Sequence, residues 1–121
     1  MNEDTRYVVA YVVARLHTGV AASHVYSFEL GKHISLTGTI DDRSVSVYDF
    51  DRSCHISGTR TGQQIRLFDF GRAAHITLKV DSKGSFNGFD YATSSHFNGK
   101  VSSKRVQLFD YGAGRYYNYT I

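Results

Sequence analysis

A short motif recurs along most of this chain. An aromatic residue, an acid and a second large apolar residue form the triplets "FEL", "YDF", "FDF", "FDY" and "FDY", which begin at positions 28, 48, 68, 89 and 109. Successive triplets are therefore 20, 20, 21 and 20 residues apart. In three copies a histidine follows the first aromatic residue by seven positions, at His55, His75 and His96. A fixed period near 20 residues predicts a fold made of repeated supersecondary units, here over residues 25–121.

Each repeat is predicted to be a β-hairpin. In "IRLFDFGRAAHITLKV", two apolar segments flank a four-residue loop at 71–74, whereas the first repeat has only the two residues of "GK" between its segments. Loops of both lengths are common hairpin connections. Polar links, "DDRS", "TGQQ", "DSKGS" and "SSKR", join one repeat to the next. Turns at both ends of every strand predict a mainly β protein, a ten-stranded antiparallel up-and-down meander that curls or closes into a barrel.

The loop positions also fix a pairing register. The predicted partners are Phe70 with His75, Leu67 with Leu78, Ile40 with Val45, and Val101 with Val106. Apolar residues then meet apolar residues on one face, which a slip of one residue would destroy. The alternative fold is a parallel β-solenoid with coils of about 20 residues. It would stack the repeated acids about 4.8 Å apart, at a cost of about 1–3 kcal/mol for each neighbouring pair, so the meander is favoured.

Residues 4–18 are predicted to form an N-terminal helix within the same single domain, residues 1–121. One helical stripe carries Val8, Val9, Val12, Val13 and Leu16, and the opposite side carries Arg6, Ala10, Ala14 and His17. Gly19 is typical of a residue that ends a helix. We expect the valine stripe to cover the aliphatic face of the sheet, with the helix inside the barrel or across one mouth. The segment "YVVAYVV" also has high strand propensity, so a strand is the alternative.

The second face of the predicted sheet alternates aromatic and polar rows. The aromatic rows comprise Tyr48, Phe50, Phe68, Phe70, Phe89, Tyr91, Phe109 and Tyr111. The polar rows comprise His55, His75 and His96, with Ser, Thr, Asn and Lys residues beside them. Contiguous exposed aromatic residues usually mark an interaction site. This face is therefore the candidate surface for a ligand or a second subunit, with ordinary cross-strand packing as the structural alternative.

The repeated acids are predicted to fix the turns. They are Glu29, Asp49, Asp69, Asp90 and Asp110, each at a strand end, where a carboxylate can accept hydrogen bonds from loop amides. Their places on separate hairpins disfavour a catalytic carboxylate pair. Histidines on alternate strands lie about 10 Å apart, too far to share one metal ion, so we predict no metal site and no cofactor. Cys54 is the single cysteine and cannot form an internal disulfide.

No catalytic motif is present, and we predict a protein that is not an enzyme. One predicted function is a module that binds a small, sugar-like or apolar ligand on the aromatic and His/Ser/Thr rows. The alternative is a structural or self-assembling protein, a homo-oligomer whose aromatic face is the subunit interface. The net charge of +3 and the scattered basic residues disfavour nucleic acid as a partner. The longest apolar segment, "YVVAYVVA", is too short to span a membrane, and we expect a soluble, cytoplasmic protein.

Overall fold

The computed structural model describes residues 1–121 as one helix and ten strands. The helix, α1, spans Glu3–Thr18. The strands are β1 (His24–Ser27), β2 (Lys32–Ile40), β3 (Ser44–Asp49), β4 (Cys54–Thr61), β5 (Gln64–Asp69), β6 (Ala74–Val80), β7 (Ser85–Asp90), β8 (Ser95–Ser102), β9 (Arg105–Asp110) and β10 (Arg115–Thr120). Each strand pairs antiparallel with the next along the chain, and β10 pairs with β1, so the sheet closes into a barrel. The predicted ten-stranded meander is confirmed, and the parallel solenoid is wrong.

The predicted N-terminal helix is also confirmed, beginning one residue earlier than expected. Gly19 ends it in the left-handed conformation, with φ 72°, and the Gly19 amide donates to the Arg15 carbonyl at 2.9 Å. Glycine takes this conformation at a helix end without the steric cost that a side chain would bring. The strand that was the alternative for this segment does not form.

The turns define the two ends of the barrel. The turns inside the hairpins, 28–31, 50–53, 70–73, 91–94 and 111–114, form one end, which we call the hairpin end. The links between hairpins, 41–43, 62–63, 81–84 and 103–104, form the other, which we call the link end. The Tyr7 hydroxyl donates to Asp49 at the hairpin end, and the Arg15 guanidinium donates to the Gly38 carbonyl toward the link end. The helix therefore runs along the barrel from the hairpin end to the link end.

The helix fills the lumen of the barrel. Every residue from Thr5 to Ala14 is buried. Ala10 and Ala14, which lie opposite the valine stripe, are as inaccessible to solvent as Val9. Of the two expected positions, inside the barrel and across one mouth, the helix takes the first. The valine stripe is not its only contact surface, because a closed sheet surrounds a helix that passes through it. A helix that is apolar on all sides belongs in an interior, and barrels of similar size are known to enclose one.

The wall of the barrel points its aliphatic side chains at the helix. Buried residues of the predicted core face are Ile34, Leu36, Val45, Val47, Ile56, Ile65, Leu67, Ile76, Leu78, Val106 and Leu108. Phe86 and Phe97 join them, opposite Gly99 and Gly88 respectively. A side chain on either glycine would collide with the ring opposite it. Each phenylalanine ring therefore occupies the space that the missing side chain of its glycine partner leaves.

The strand register agrees with the prediction across the links but not within the hairpins. Across the links the predicted pairs are observed, Ile40 with Val45 and Val101 with Val106. In the third hairpin, His75 pairs with Phe68 rather than with Phe70, and Leu67 pairs with Ile76 rather than Leu78. The loop is 70–73 rather than 71–74. This shift of two residues leaves each side chain on its predicted face, because side chains alternate with a period of two.

The first hairpin also departs from its prediction. Its loop is 28–31, four residues long like the others, and His33 pairs with Tyr26. Tyr26 is therefore the counterpart of Tyr48, and the histidine follows the counterpart aromatic residue by seven positions in four hairpins rather than three. The prediction is wrong because it aligns "FEL" with the later triplets. The segment that corresponds to those triplets begins two residues earlier, at Tyr26.

All five hairpin turns end on a residue in the left-handed region. These residues are Gly31, Ser53, Ala73, Ser94 and Gly114, with φ between 52° and 70°. The left-handed conformation costs a residue with a side chain about 1–2 kcal/mol. Three of the five turns therefore carry a backbone strain that glycine relieves in the other two.

Ala73→Gly is expected to stabilise the protein by about 0.5–1 kcal/mol, the relieved strain less the extra entropy of glycine in the unfolded chain. The measurement is urea unfolding of the purified variant. The control is Ala113→Gly, at a hairpin-turn position without positive φ, where glycine is expected to lower stability slightly. A destabilised Ala73→Gly variant would contradict the strain at this turn.

Candidate functional site

Five clusters of three rings lie on the outer surface, one on each hairpin. We call them aromatic triads, and their members are Tyr26/Phe28/His33, Tyr48/Phe50/His55, Phe68/Phe70/His75, Phe89/Tyr91/His96 and Phe109/Tyr111/Tyr116. In each triad the first, central ring meets both others edge to face, with centroids 4.7–5.0 Å apart and interplanar angles of 66–78°. The same geometry is thus built five times around the hairpin end.

The hairpin geometry explains why the three rings meet. Phe68 and Phe70 are two residues apart, so their side chains leave the same face of the chain. His75 is the cross-strand partner of Phe68, which brings its ring against the same central ring. Edge-to-face contacts of this kind contribute about 0.5–1.5 kcal/mol beyond the area they bury. Each triad is therefore a stable, preformed cluster.

Each triad presents two rings to solvent, its second member and the cross-strand partner of its central ring. The second members, which we call outer rings, are exposed by 51–60% of their surface: Phe28, Phe50, Phe70, Tyr91 and Tyr111. The central rings are half-buried and the four histidines are exposed. Every residue predicted for the aromatic and histidine rows lies in a triad. The sequence did not assign Tyr26, although its seven-residue spacing to His33 was the available signal.

Backbone hydrogen bonds tie neighbouring triads together. The Phe70 amide donates to the carbonyl of His55, in the preceding triad, at 3.0 Å. Tyr91 and Tyr111 donate in the same way to His75 and His96, each at 3.1 Å. The start of each of these turns is therefore held by the hairpin before it, which fixes the position of one outer ring relative to the next.

The acids lie on the opposite side of the barrel wall from the triads. Asp49, Asp69, Asp90 and Asp110 are all buried inside the hairpin end. One carboxylate oxygen of each accepts amide hydrogens from the following turn, for example those of Gly71 and Arg72 on Asp69 at 2.9 and 3.1 Å. In the first hairpin Ser27 occupies this position, its Oγ accepting from the Leu30 amide, and Glu29 is exposed. The assignment of Glu29 to the acid series is therefore wrong.

The second oxygens of all four acids bind cations or hydroxyls from the helix and turns. Arg52 joins two hairpins, donating to Asp49 at 2.8 Å and to Asp69 at 2.9 Å. Arg6 of the helix donates to Asp110 at 3.0 Å. Burial opposes the charge on Arg52, but its hydrogen bonds to the two acids raise its pKa overall. This inner layer of ion pairs joins the helix to the turns, and it does not reach the outer rings.

Two buried tyrosines, Tyr7 and Tyr119, are expected to make the free energy of unfolding decrease as the pH rises into the alkaline range. Burial and an Asp49 hydrogen bond raise the pKa of Tyr7, and burial and the nearby Glu3 carboxylate raise that of Tyr119. The unfolded chain loses these protons near pH 10, while the folded chain keeps them. Their stabilising contribution is therefore complete below about pH 10 and lost above it, by about 1.4 kcal/mol per pH unit for each residue.

The variant Tyr7→Phe tests this dependence, by urea unfolding between pH 9 and pH 12. Above pH 10 the free energy of unfolding of the variant is expected to fall less steeply with pH than that of the parent protein, by about 1.4 kcal/mol per pH unit. An unchanged slope would contradict it.

Side chains with metal-binding chemistry meet at most in pairs, such as His24 and His33, whose ring centroids are 5.0 Å apart. No group of three or more His, Cys, Asp and Glu residues is placed to hold a metal ion. Cys54 is partly buried, and burial raises the pKa of its thiol, so the reactive thiolate is disfavoured. Its neighbour His55 belongs to a triad on the other side of the wall.

The fold and the triads together define a class of protein: a closed ten-stranded meander barrel, filled by a helix, with one ring cluster repeated on its outer surface. Comparison with protein-family models, with curated proteins and with solved structures finds no match to this chain. Its single helix lacks the length and apolar character needed to cross a membrane.

Proposed function

We propose that this protein is a non-enzymatic binding module whose aromatic triads take sugar rings. The observation that carries the proposal is the outer ring repeated in five triads with one geometry and more than half exposed in each. Such a ring offers a flat apolar face, and the C–H side of a pyranose is the complementary surface. Repetition of an exposed ring in every hairpin is hard to explain by packing, because burial would have been the stable arrangement.

The location of the rings favours a sugar over a purely apolar ligand. The lumen is occupied by the helix, so the barrel has no interior apolar cavity like those that hold hydrophobic ligands. The surface near the triads is polar. A shallow depression of about 480 Å³ has Thr59, Thr77, Gln64 and Asn87 among its lining residues. Hydroxyl and amide groups beside an aromatic face suit a ligand with one apolar side and many hydroxyl groups.

The triad itself also supplies hydrogen-bonding groups. In four triads an exposed histidine packs on the same central ring as the outer ring, and it can donate or accept a hydrogen bond. In the last two hairpins, the Asn98 amide donates to the Tyr111 hydroxyl at 2.8 Å, which holds that ring in place. A preformed ring lowers the ordering cost of binding.

Substituting two outer rings tests the proposal. The double variant Phe70→Ser/Tyr91→Ser is expected to weaken binding to a soluble polysaccharide by about tenfold or more, because stacking on aromatic rings contributes about 1–3 kcal/mol per contact in the comparable case of bases. Its stability is expected to change little, since both rings are mostly exposed. The measurement is a screen of neutral and acidic polysaccharides by affinity electrophoresis, followed by calorimetry.

The matched control is Val20→Ser, which removes an exposed apolar residue, 39% accessible, away from the triads. It should bind like the parent protein. If the parent protein binds no polysaccharide in the screen, the proposal fails. If the double variant binds as well as the parent, the outer rings are not the site.

Self-association through the same rings is the second candidate. It is favoured by Phe28 and Leu30, which lie in one turn, are 51% and 44% exposed, and extend the apolar surface at the hairpin end. Light scattering after gel filtration, over a hundredfold range of protein concentration, distinguishes the two. A mass that rises with concentration and returns to the monomer value in Phe70→Ser/Tyr91→Ser would assign the rings to an interface.

A further inference from the structure

The strands carry outward charge of one sign only. The register places four charged residues on the outer face: Arg66, Lys79, Lys100 and Arg105, on β5, β6, β8 and β9. All four are exposed. The strand acids, by contrast, are buried inside the hairpin end. The outer face of this half of the barrel is therefore positively charged without neutralising acids among its strands.

These four cations have no internal partner. None takes part in a salt bridge, and none donates a side-chain hydrogen bond within the protein. Other arginines of the chain are engaged, such as Arg52 with two acids and Arg72 with Asp4. The four side chains are thus free to bind an external anion, without first breaking an existing ion pair.

The cations form a row parallel to the triads. Arg66 lies opposite Thr77, which places Lys79 at the diagonal position on the next strand, about 7–8 Å away. Lys100 and Arg105 are diagonal neighbours in the same way, since Lys100 pairs with Gln107. We call this row the basic stripe. It runs around β5–β9 on the link-end side of three triads, and uncharged Asn87 on β7 lies between its two pairs.

We propose that the basic stripe and these three triads bind an acidic polysaccharide. This rests on the proposed function, because it assigns the sugar rings to the outer rings Phe70, Tyr91 and Tyr111. Carboxylates or sulfates of the same chain then lie against the basic stripe. Charge complementarity carries the assignment: unpartnered cations beside sugar-binding rings fit a ligand that offers an apolar ring face and an anion in each repeat.

A polymer fits better than a single sugar because the site is repeated. Triads on successive hairpins lie about 10 Å apart, two strand spacings, so one extended chain can contact several of them. Linked contacts raise the overall affinity far above that of one contact. A short oligosaccharide is therefore expected to bind much more weakly than the polymer.

The other half of the barrel favours a polysaccharide over a single-stranded nucleic acid. The triads of β1–β4 have the same geometry, but the outward positions beside them are hydroxyl residues such as Thr37, Ser46 and Ser57, with no cation. A nucleic acid carries a phosphate at every residue and would gain nothing there. A polysaccharide that contains both neutral and acidic sugars matches both halves.

The test compares polygalacturonate with its fully methyl-esterified form, which has the same backbone but carries uncharged methyl esters in place of the carboxylates. The parent protein is expected to bind polygalacturonate at least about tenfold more tightly at low salt, and to lose this preference as the salt concentration rises. The variant Arg66→Gln/Lys79→Gln/Lys100→Gln should bind both polymers with the affinity that the parent has for the ester. The variant Arg43→Gln/Lys83→Gln/Lys104→Gln removes the same charge from the links and should keep the preference.

Each other outcome overturns part of the argument. Equal binding of the two polymers by the parent protein refutes the acidic ligand and leaves the sugar-binding proposal standing. Binding of neither polymer, nor of any other in the screen, refutes both. Tighter binding of oligothymidylate than of polygalacturonate, lost in the variant of the basic stripe, assigns the surface to single-stranded nucleic acid. Loss of preference in the link variant as well shows that net charge, not the stripe, determines binding.

Discussion

Ala10→Lys is expected to leave the chain unfolded. Ala10 lies on the helix inside the barrel and has no accessible surface. A lysine there would bring a charge into a core of aliphatic residues, and an unpartnered buried charge costs several kcal/mol. The long side chain would also clash with its neighbours in a filled core. Together the two costs approach the free energy of unfolding of an ordinary domain, about 5–15 kcal/mol. Circular dichroism and urea unfolding would measure the loss.

Ala21→Lys is the matched control, since Ala21 is exposed after the helix. It should change stability by no more than about 0.5 kcal/mol. The comparison also tests the position of the helix. A helix that only covers the sheet from outside would present Ala10 to water, and Ala10→Lys would then melt like the parent protein.

Arg52→Met is expected to cost about 3–5 kcal/mol, the second largest effect. The guanidinium bridges Asp49 and Asp69, which have essentially no exposed surface, and its removal leaves two buried carboxylates without their cation. The measurement is urea unfolding at pH 7.

Two further variants check the reason for this loss. Arg72→Met breaks an ion pair with Asp4 that is partly exposed, and it should cost no more than about 1 kcal/mol. Adding Asp69→Asn to Arg52→Met removes one of the stranded charges and should restore part of the stability. A double variant as unstable as Arg52→Met alone would place the cost in lost packing of the arginine rather than in charge.

The fold was predictable because two independent signals agreed. The 20-residue period fixed the number of hairpins, and the polar links fixed the direction of the meander. The register inside the hairpins was not predictable in the same way. The turn "FGRA" and the assumed loop "GRAA" differ by one residue at each end, and both give the same alternation of faces. Only the position of the left-handed residue, Ala73, separates them, and alanine gives no signal of that conformation.

The position of the helix was beyond the sequence for a different reason. Valines on one side and alanines on the other resemble an amphipathic pattern, but alanine is small and apolar enough for either environment. The decisive fact is that the barrel closes, and closure depends on pairing between β1 and β10, segments separated by nearly the whole chain. A pattern read within one helix contains no information about that contact.

The candidate site was predicted in its rows but not in its charge. The outer rings repeat with the hairpins, so the sequence reveals them directly. The residues of the basic stripe repeat only in part. Lys79 and Lys100 each follow the histidine of their triad by four positions, whereas Arg66 and Arg105 precede their central rings by two and four positions. The sequence pattern shows scattered basic residues, which disfavour nucleic acid as a partner, and it does not show the stripe. The antiparallel register brings them together. Arg66 precedes the turn of its hairpin and Lys79 follows it, and pairing of β5 with β6 places both near the link end of the barrel.

The helix in the lumen also sets how many hairpins the chain can carry. Eight strands enclose only enough room for side chains, so a barrel with one hairpin fewer could not admit a helix about 10 Å wide. One hairpin more would leave a gap between wall and helix that apolar residues could not fill without cost. Duplication of a hairpin is the simplest event by which such a chain could grow. The helix therefore limits the chain to five hairpins, because a barrel of four or six hairpins would not fit around the same helix.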